Sequence, residues 1–378
     1  MAIFTHHEEN DEKQSIAYSN DNGVTWRKYE NNPVIGNPGL TDFRDPKVFW
    51  HHDTNQWIML LACGDHIRFY ASLNLKEWHY LSSFGNGYGS KEGVWECPDL
   101  IKLSIDGENK HKWGLIVNIN PGGPNEGSSV MYFLGDFDGQ KFIPDDAPET
   151  HNWRWADYGR DFYAAVTWNN TLVKDPIWIG WMNNWQYGNV TPTESFRGMM
   201  SLPRTLKLVR KNGKLSLSQK IFHLDRLHDK TVYENHEFLL TKNNKINHKL
   251  SQDRLCIKTN VAENKSTVFS FKASSGQHSI SIDFDLYTGE IRLNRKNCGD
   301  TSFAENFASI DKMPIDTVED IEIIIDRTSI ELFVNSGTRV MSELFFMPEK
   351  MQDIEWTTNE GKVIFSNYKM SYLKTLWN

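Results

Sequence analysis

Two carboxylates stand out by type and surroundings. Asp45 lies in Asp42-Phe-Arg-Asp-Pro46, and Glu96 lies in Gly93-Val-Trp-Glu-Cys-Pro98. Acid beside aromatic and arginine is the chemistry that splitting a glycosidic bond requires. One carboxyl, held against an apolar wall, donates a proton to the leaving oxygen, while a second stays ionised and steadies the positive charge left on the sugar. In that reading Arg44 keeps Asp45 ionised, and Pro46 disfavours the helical region for Asp45 and holds it extended. Trp95, Cys97 and Pro98 desolvate Glu96 and favour its protonated form, as a general acid needs. Each motif alone has a plainer reading, a turn aspartate capping local amides or a structural glutamate beside tryptophan. Their placement within repeats raises them above it.

The repeat interval is constant. Tyr18 to Tyr70, Trp26 to Trp78 and Pro46 to Pro98 are each 52 residues apart, and Met131-Tyr-Phe-Leu-Gly-Asp-Phe-Asp-Gly-Gln-Lys-Phe142 gives a looser third copy. A period near 50 residues, holding several short strands and no long amphipathic helix, predicts propeller blades whose inner strands converge on a central funnel. Asp45 and Glu96 then occupy nearly matching positions in consecutive blades and face one cavity. Ala2-Ile-Phe-Thr5 reads as a strand already under way.

Lys207 to Lys214 reads as a basic, turn-like stretch and opens a boundary. The predicted domains are 1–215, a partial propeller, and 216–378, a linker and a β-sandwich. In the second, Ile280, Ile282 and Phe284 alternate with Ser281, Asp283 and Asp285, and Ile321, Ile323 and Ile325 alternate with polar neighbours. Asn335-Ser-Gly337 is a turn.

Further candidates are aromatic and amide clusters suited to hydroxyls and ring faces. In Gly159-Arg-Asp-Phe-Tyr-Ala164, Asp161 could accept hydroxyl hydrogen bonds. In Trp181-Met-Asn-Asn-Trp-Gln-Tyr187, Trp181 and Trp185 could stack on sugar rings. Core aromatics and turn asparagines explain them equally well. Asn118-Ile-Asn-Pro-Gly-Gly-Pro-Asn125 suits a cavity rim and lacks the glycine spacing of a phosphate cradle.

Composition narrows the partners. The 378 residues carry a net charge of −8, which on average repels nucleic acid and anionic membranes and favours a neutral ligand. No run of 18 apolar residues occurs, and the first ten residues lack the basic and apolar regions of a signal peptide. Cys63, Cys97, Cys256 and Cys298 show no metal or disulfide spacing, so free thiols, no metal and no cofactor are expected.

With these residues in hand, the chain resembles glycoside hydrolase family 32, the β-fructosidases, from residue 1 to the end. Arg44-Asp-Pro46 is similar to the family's Arg-Asp-Pro motif, which implies Asp45 as transition-state stabiliser and Arg44 as a substrate-binding neighbour. Glu96-Cys97 is similar to its Glu-Cys motif, which implies Glu96 as general acid/base. Asn118 to Asn125, Gly135-Asp-Phe-Asp-Gly139, Trp181 to Tyr187, Arg197-Gly198 and Ser201-Leu-Pro-Arg204 look most like levanases and exo-acting fructanases. Asp326-Arg-Thr-Ser-Ile-Glu-Leu-Phe333 resembles the family's C-terminal sandwich.

The implied fold is all-β, a five-bladed propeller followed by a β-sandwich. The implied activity is retaining cleavage of terminal β-D-fructosyl units from levan, inulin or sucrose, with Asp161 and Trp181 beside Arg44 as substrate-binding residues. The family's Trp-Met-Asn-Asp-Pro-Asn-Gly motif, whose aspartate is the nucleophile, does not occur here. The expectation is therefore a chain without its first blade and part of its second, on the order of a hundred residues by propeller size. Its turnover is expected to be impaired, and a noncatalytic fructoside-binding remnant is the alternative. Extracellular location is preferred to cytoplasmic, and no oligomeric state is implied.

Overall fold

Antiparallel strands make up nearly all of the ordered structure in the computed structural model, which describes residues 1–9, 11–148 and 153–375; the one α-helix among them is Leu224–Leu227. The chain forms two compact units. The first comprises residues 1–123, 128–155 and 164–178, and the second residues 124–127, 156–163 and 179–378. This division differs from a single cut near 215. Packing draws the short stretches 124–127 and 156–163 into the second unit, where Arg204 pairs with Asp157 and Asn125 bonds the Tyr158 and Lys312 carbonyls.

In the first unit, three sheets follow one another along the chain. Ala2–Glu8, Asp11–Tyr18 and Arg27–Lys28 form the first. Phe43–His51, Gln56–Cys63, Ile67–Ser72 and His79–Phe84 form the second, a four-stranded meander in sequence order. Val94–Ser104, His111–Asn120, Ser129–Phe137 and Phe142–Pro144 form the third, with Arg154–Trp155 pairing Ser129–Phe137. The unbroken apolar run Trp57-Ile-Met-Leu-Leu-Ala-Cys63 is explained by burial of both sheet faces. Ile58, Leu60 and Ala62 join a core with Trp95, Leu115 and Phe133 of the third sheet. Met59, Leu61 and Cys63 join one with Phe43 and, partly buried, Ile3 and Ile35.

The 52-residue interval has a physical basis in the turns. Trp26 Nε1 donates to the Gly23 carbonyl at 2.9 Å, and Trp78 Nε1 donates to Leu75 at 3.1 Å, so each tryptophan closes the turn three residues before it. In the looser third copy Asp138 caps its turn by accepting from the Gln140 and Lys141 amides.

In the second unit, Lys207 to Lys214 is mostly strand, with its turn confined to Asn212-Gly213. Arg204–Lys211 and Lys214–Ile221 form a regular hairpin around Asn212-Gly213, with Arg204, Leu206 and Leu208 buried on one face and Arg210 and Lys211 exposed near the turn. Two six-stranded antiparallel sheets then bury one core between them, including Phe269, Phe271, Ile282, Phe284, Ile323, Trp356 and Phe365. Each such side chain contributes about 1.5–3 kcal/mol through its removal from water. The alternation read at 280–285 and 321–325 corresponds to strands His278–Asp285 and Asp320–Ile325.

Candidate active site

Two prolines fix the local geometry. A proline has no N–H for the ladder, so a strand that contains one must release it. In Phe43–His51 the pairing with Gln56–Cys63 slips between Arg44 and Lys47, and in Val94–Ser104 the pairing with His111–Asn120 slips between Glu96 and Asp99. Both are β-bulges at the same place in the repeat, since Arg44 plus 52 is Glu96 and Lys47 plus 52 is Asp99.

Each bulge carries one residue in the left-handed region, Asp45 at φ 62° and Cys97 at φ 44°. Asp45 is therefore not extended. The bulge outweighs the preference imposed by Pro46, and aspartate is among the few residues that tolerate this conformation well.

These bulges bring the acids together. Arg44 Nη2 donates to Glu96 Oε1 at 2.9 Å, joining the two sheets, and Arg44 Nη1 bonds Asp42 and lies 3.4 Å from Glu12. The Cys97 amide donates to Asp45 Oδ2 at 2.9 Å, and the Asp45 amide donates to Thr5 Oγ1 at 3.0 Å. Thr5 in turn donates to Gln14, whose Nε2 donates to the Phe43 carbonyl. The first sheet thus braces the second at the residue before Arg44.

The electrostatics differ from the expected assignment. Burial pushes the Asp45 carboxyl above its usual range, and the nearby Glu96 charge adds to this; the Cys97 amide and Arg44 oppose it without cancelling it. Arg44 spends its fork on Glu96 and Asp42 rather than on Asp45. Burial would make the guanidinium less basic, but those two carboxylates outweigh it and hold it charged.

Trp95 does not wall Glu96 either. Neighbouring strand residues face opposite ways, and Trp95 is fully buried in the core with its Nε1 on the Ser90 carbonyl, against Phe84 and Phe133. Gly89 makes room for it, since a Cβ there would sit 2.4 Å from the indole. The Glu96 side chain is 21% exposed beside Arg44.

Beneath the acids lies a set of residues that the motifs did not single out. Lys47 Nζ is 3.1 Å from Asp99 Oδ2 and also bonds Thr167. Asp99 accepts from the Thr167 amide and hydroxyl at 2.8 and 2.7 Å. Buried Asn118 donates to the Cys97 carbonyl at 2.9 Å and accepts from the Ala165 amide at 3.0 Å. The readable signal was opposite charge at equivalent repeat positions, Lys47 and Asp99.

Two predicted binding residues belong to the second unit. Asp161 is a correction. It is fully buried, with Tyr187 Oη donating to one oxygen at 2.8 Å and Arg295 and the Leu344 amide donating to the other at 2.7 and 2.8 Å. Its oxygens hold a buried ion pair and offer no surface to a hydroxyl. Trp181 is half-buried, 5.0 Å from the half-exposed Trp185 ring, with Gly188 and Gly198 close against its indole. Neighbouring Arg204 is fully buried between the Phe162 and Phe333 rings, paired with Asp157 and Glu331. All four cysteines are free.

Two acids at the junction of two bulged strands, one of them bonded by an arginine and the other by a backbone amide, form an arrangement that can protonate a leaving oxygen and stabilise positive charge nearby. Comparison with known proteins agrees with that chemistry. Residues 1–220 match the family model described as glycosyl hydrolases family 32 N-terminal domain, and residues 223–372 match its C-terminal counterpart.

A levanase from Bacillus subtilis is 36% identical over 388 residues, covering 100% of this chain, which spans 57% of the levanase. An extracellular exo-inulinase from Aspergillus awamori is 35% identical over 362 residues, 90% of this chain and 67% of the inulinase. Among solved structures, exo-inulinase from Aspergillus awamori superposes with a TM-score of 0.89 at 32% identity, covering 98% of this chain and 76% of its own. A fructofuranosidase variant from Schwanniomyces occidentalis, complexed with fructosylnystose, gives 0.89 at 30%, covering 99% and 78%.

Proposed function

Because the chain belongs to glycoside hydrolase family 32, we propose that it acts on terminal β-D-fructosyl units of levan, inulin or sucrose by a retaining mechanism. Glu96 is the acid/base and Asp45 the stabiliser of the oxocarbenium-like transition state. The observation that carries this reading is the cross-sheet pair of bonds, Arg44 to Glu96 and the Cys97 amide to Asp45, which fixes both acids at one junction.

In the first step of a retaining reaction Glu96 gives its proton to the departing glycosidic oxygen, and the C–O bond breaks as a carboxylate nucleophile bonds the fructosyl carbon and positive charge builds on the ring. Asp45, fixed by a backbone amide, faces that charge without having to reorient. Arg44 holds the Glu96 carboxyl in place. No carboxylate among the 378 residues is assigned as nucleophile, so turnover by this chain alone is expected to be slow.

The proposed architecture is the five-bladed propeller with a β-sandwich, the sheets of the first unit supplying blades. An extracellular setting is proposed in keeping with polymeric fructan as substrate. Fructose release from levan, inulin and sucrose by the native chain and by Glu96→Gln tests the reading. Release that survives the substitution unchanged overturns it. Fructose binding by calorimetry with no release from any substrate would favour the noncatalytic alternative.

A further inference from the structure

The strands that carry the two acids also border a cavity at their far end. From Asp45, the strand Phe43–His51 runs five residues on to Trp50, and from Glu96, Val94–Ser104 runs six residues on to Lys102. At about 3.3 Å per residue both points lie roughly 15–20 Å from the acids. There the first unit holds a separate cavity of about 220 Å³, below the size of a drug-like pocket and suited to one sugar residue.

Its lining is unusual for a surface depression. Trp50 and Trp57 meet edge to face, with centroids 5.3 Å apart and planes at 70°. Trp168, 49% exposed, brings a third indole to the wall. The Asn169 amide is spent on the Val48 carbonyl at 2.7 Å and so pins the loop to the strand. Asn170, Lys102 and Lys174 also line the cavity. Among the described residues neither lysine has an ion-pair partner and the Asn170 side chain has no hydrogen bond, and no carboxylate lines the cavity.

An indole half open to water costs free energy that a ring face can recover, and unspent amide and ammonium donors match hydroxyl oxygens. Sugar residues present both features, apolar ring faces and peripheral hydroxyls. The two ammonium groups are compatible with a neutral chain, since ammonium donates to hydroxyls as well as to anions.

We propose that this cavity is a second, noncatalytic carbohydrate-binding site that holds a fructosyl residue of the same polymer whose chain ends the acids attack. Trp168 is the stacking platform, and Asn170, Lys102 and Lys174 are the hydroxyl ligands. The inference rests on the fructan reading given above. The consequence is functional. A chain held here keeps the protein on polymeric substrate and raises the local concentration of its ends.

Affinity electrophoresis in gels containing levan or inulin tests the site. The native chain is expected to be retarded, and Trp168→Ala to lose about tenfold in affinity, the usual worth of a stacked aromatic contact. Asn170→Ala is expected to lose a smaller factor. Glu96→Gln should be retarded like the native chain, which separates this site from the acids. Retardation that survives Trp168→Ala, that disappears in Glu96→Gln, or that is absent from the native chain overturns the proposal. So does retardation abolished by about 0.5 M salt, where exposed charges are screened and stacking is not. Fructose release lost in Glu96→Gln while the native chain runs unretarded would sink this site and leave the proposed function standing.

Discussion

Asn118 pairs with Glu96 across the ladder and bonds the Cys97 carbonyl, and Asn118→Ala is the perturbation whose cost follows most directly from the structure. The side chain is fully buried and makes two good hydrogen bonds, to the Cys97 carbonyl at 2.9 Å and from the Ala165 amide at 3.0 Å. A third, to the Ala165 carbonyl, is at the 3.5 Å limit and counts for little. Alanine strands two buried backbone groups, each worth about 1–3 kcal/mol when left unsatisfied. The expected loss is therefore about 2–6 kcal/mol, against a total stability of roughly 5–15 kcal/mol for a typical domain.

The effect should extend to the site. The Cys97 peptide whose carbonyl is released is one residue from Glu96, and the Cys97 amide holds Asp45, so fructose affinity should fall even where the fold survives. Urea unfolding gives the first quantity and calorimetric titration with fructose the second. A loss below about 1 kcal/mol, or unaltered fructose affinity in a folded variant, would refute the reasoning.

Asp45→Asn should separate activity from stability. Burial raises the folded-state carboxyl above its unfolded value, so Asp45 favours folding below the unfolded pKa and progressively less as pH rises through the folded one. The asparagine variant should therefore melt higher than native at neutral pH, with a smaller advantage in acid, while fructose release falls by at least about 100-fold. Thermal melts across pH and a release assay check both. Arg44→Met leaves Glu96, Asp42 and Glu12 facing one another without their cation, and should cost about 1–3 kcal/mol of stability and lower fructose release, read by urea unfolding and a release assay. Arg204→Met strands two buried carboxylates, Asp157 and Glu331, and should cost about 3–5 kcal/mol or prevent soluble expression, read by denaturant unfolding.

Much of the site was legible because its information is local. The spacing of Pro46 and Pro98, and of Trp26 and Trp78, marks equivalent points of a repeating sheet, and both prolines mark bulges. What spacing does not carry is the partner across the junction. Arg44 adjoins Asp45 in sequence yet bonds Glu96, because successive side chains leave a strand on opposite faces. That same alternation turns Trp95 inward and Glu96 outward, and it could have been applied to the sequence.

Asp161 shows the other failure. Its Gly-Arg-Asp-Phe-Tyr setting resembles a sugar site, but its partners Tyr187, Arg295 and Leu344 lie 26 to 183 residues away and have no mark in the local pattern. The roles of Asn118 and Thr167 were equally hidden, since Asn118 bonds backbone groups of Cys97 and Ala165, and Thr167 donates its amide and hydroxyl to the Asp99 side chain 68 residues earlier. In the second unit the clean alternation of apolar and polar residues was sufficient, because one face of each sheet packs on a single core.

The account depends on Asp45 and Glu96 meeting at one fructosyl site. A crystal soaked with fructose or a short levan oligosaccharide tests this most directly. The account predicts sugar density within hydrogen-bonding distance of Arg44, Asp45 and Glu96 at the two bulges. A fully occupied sugar elsewhere, with no sugar density at those three side chains, would contradict it.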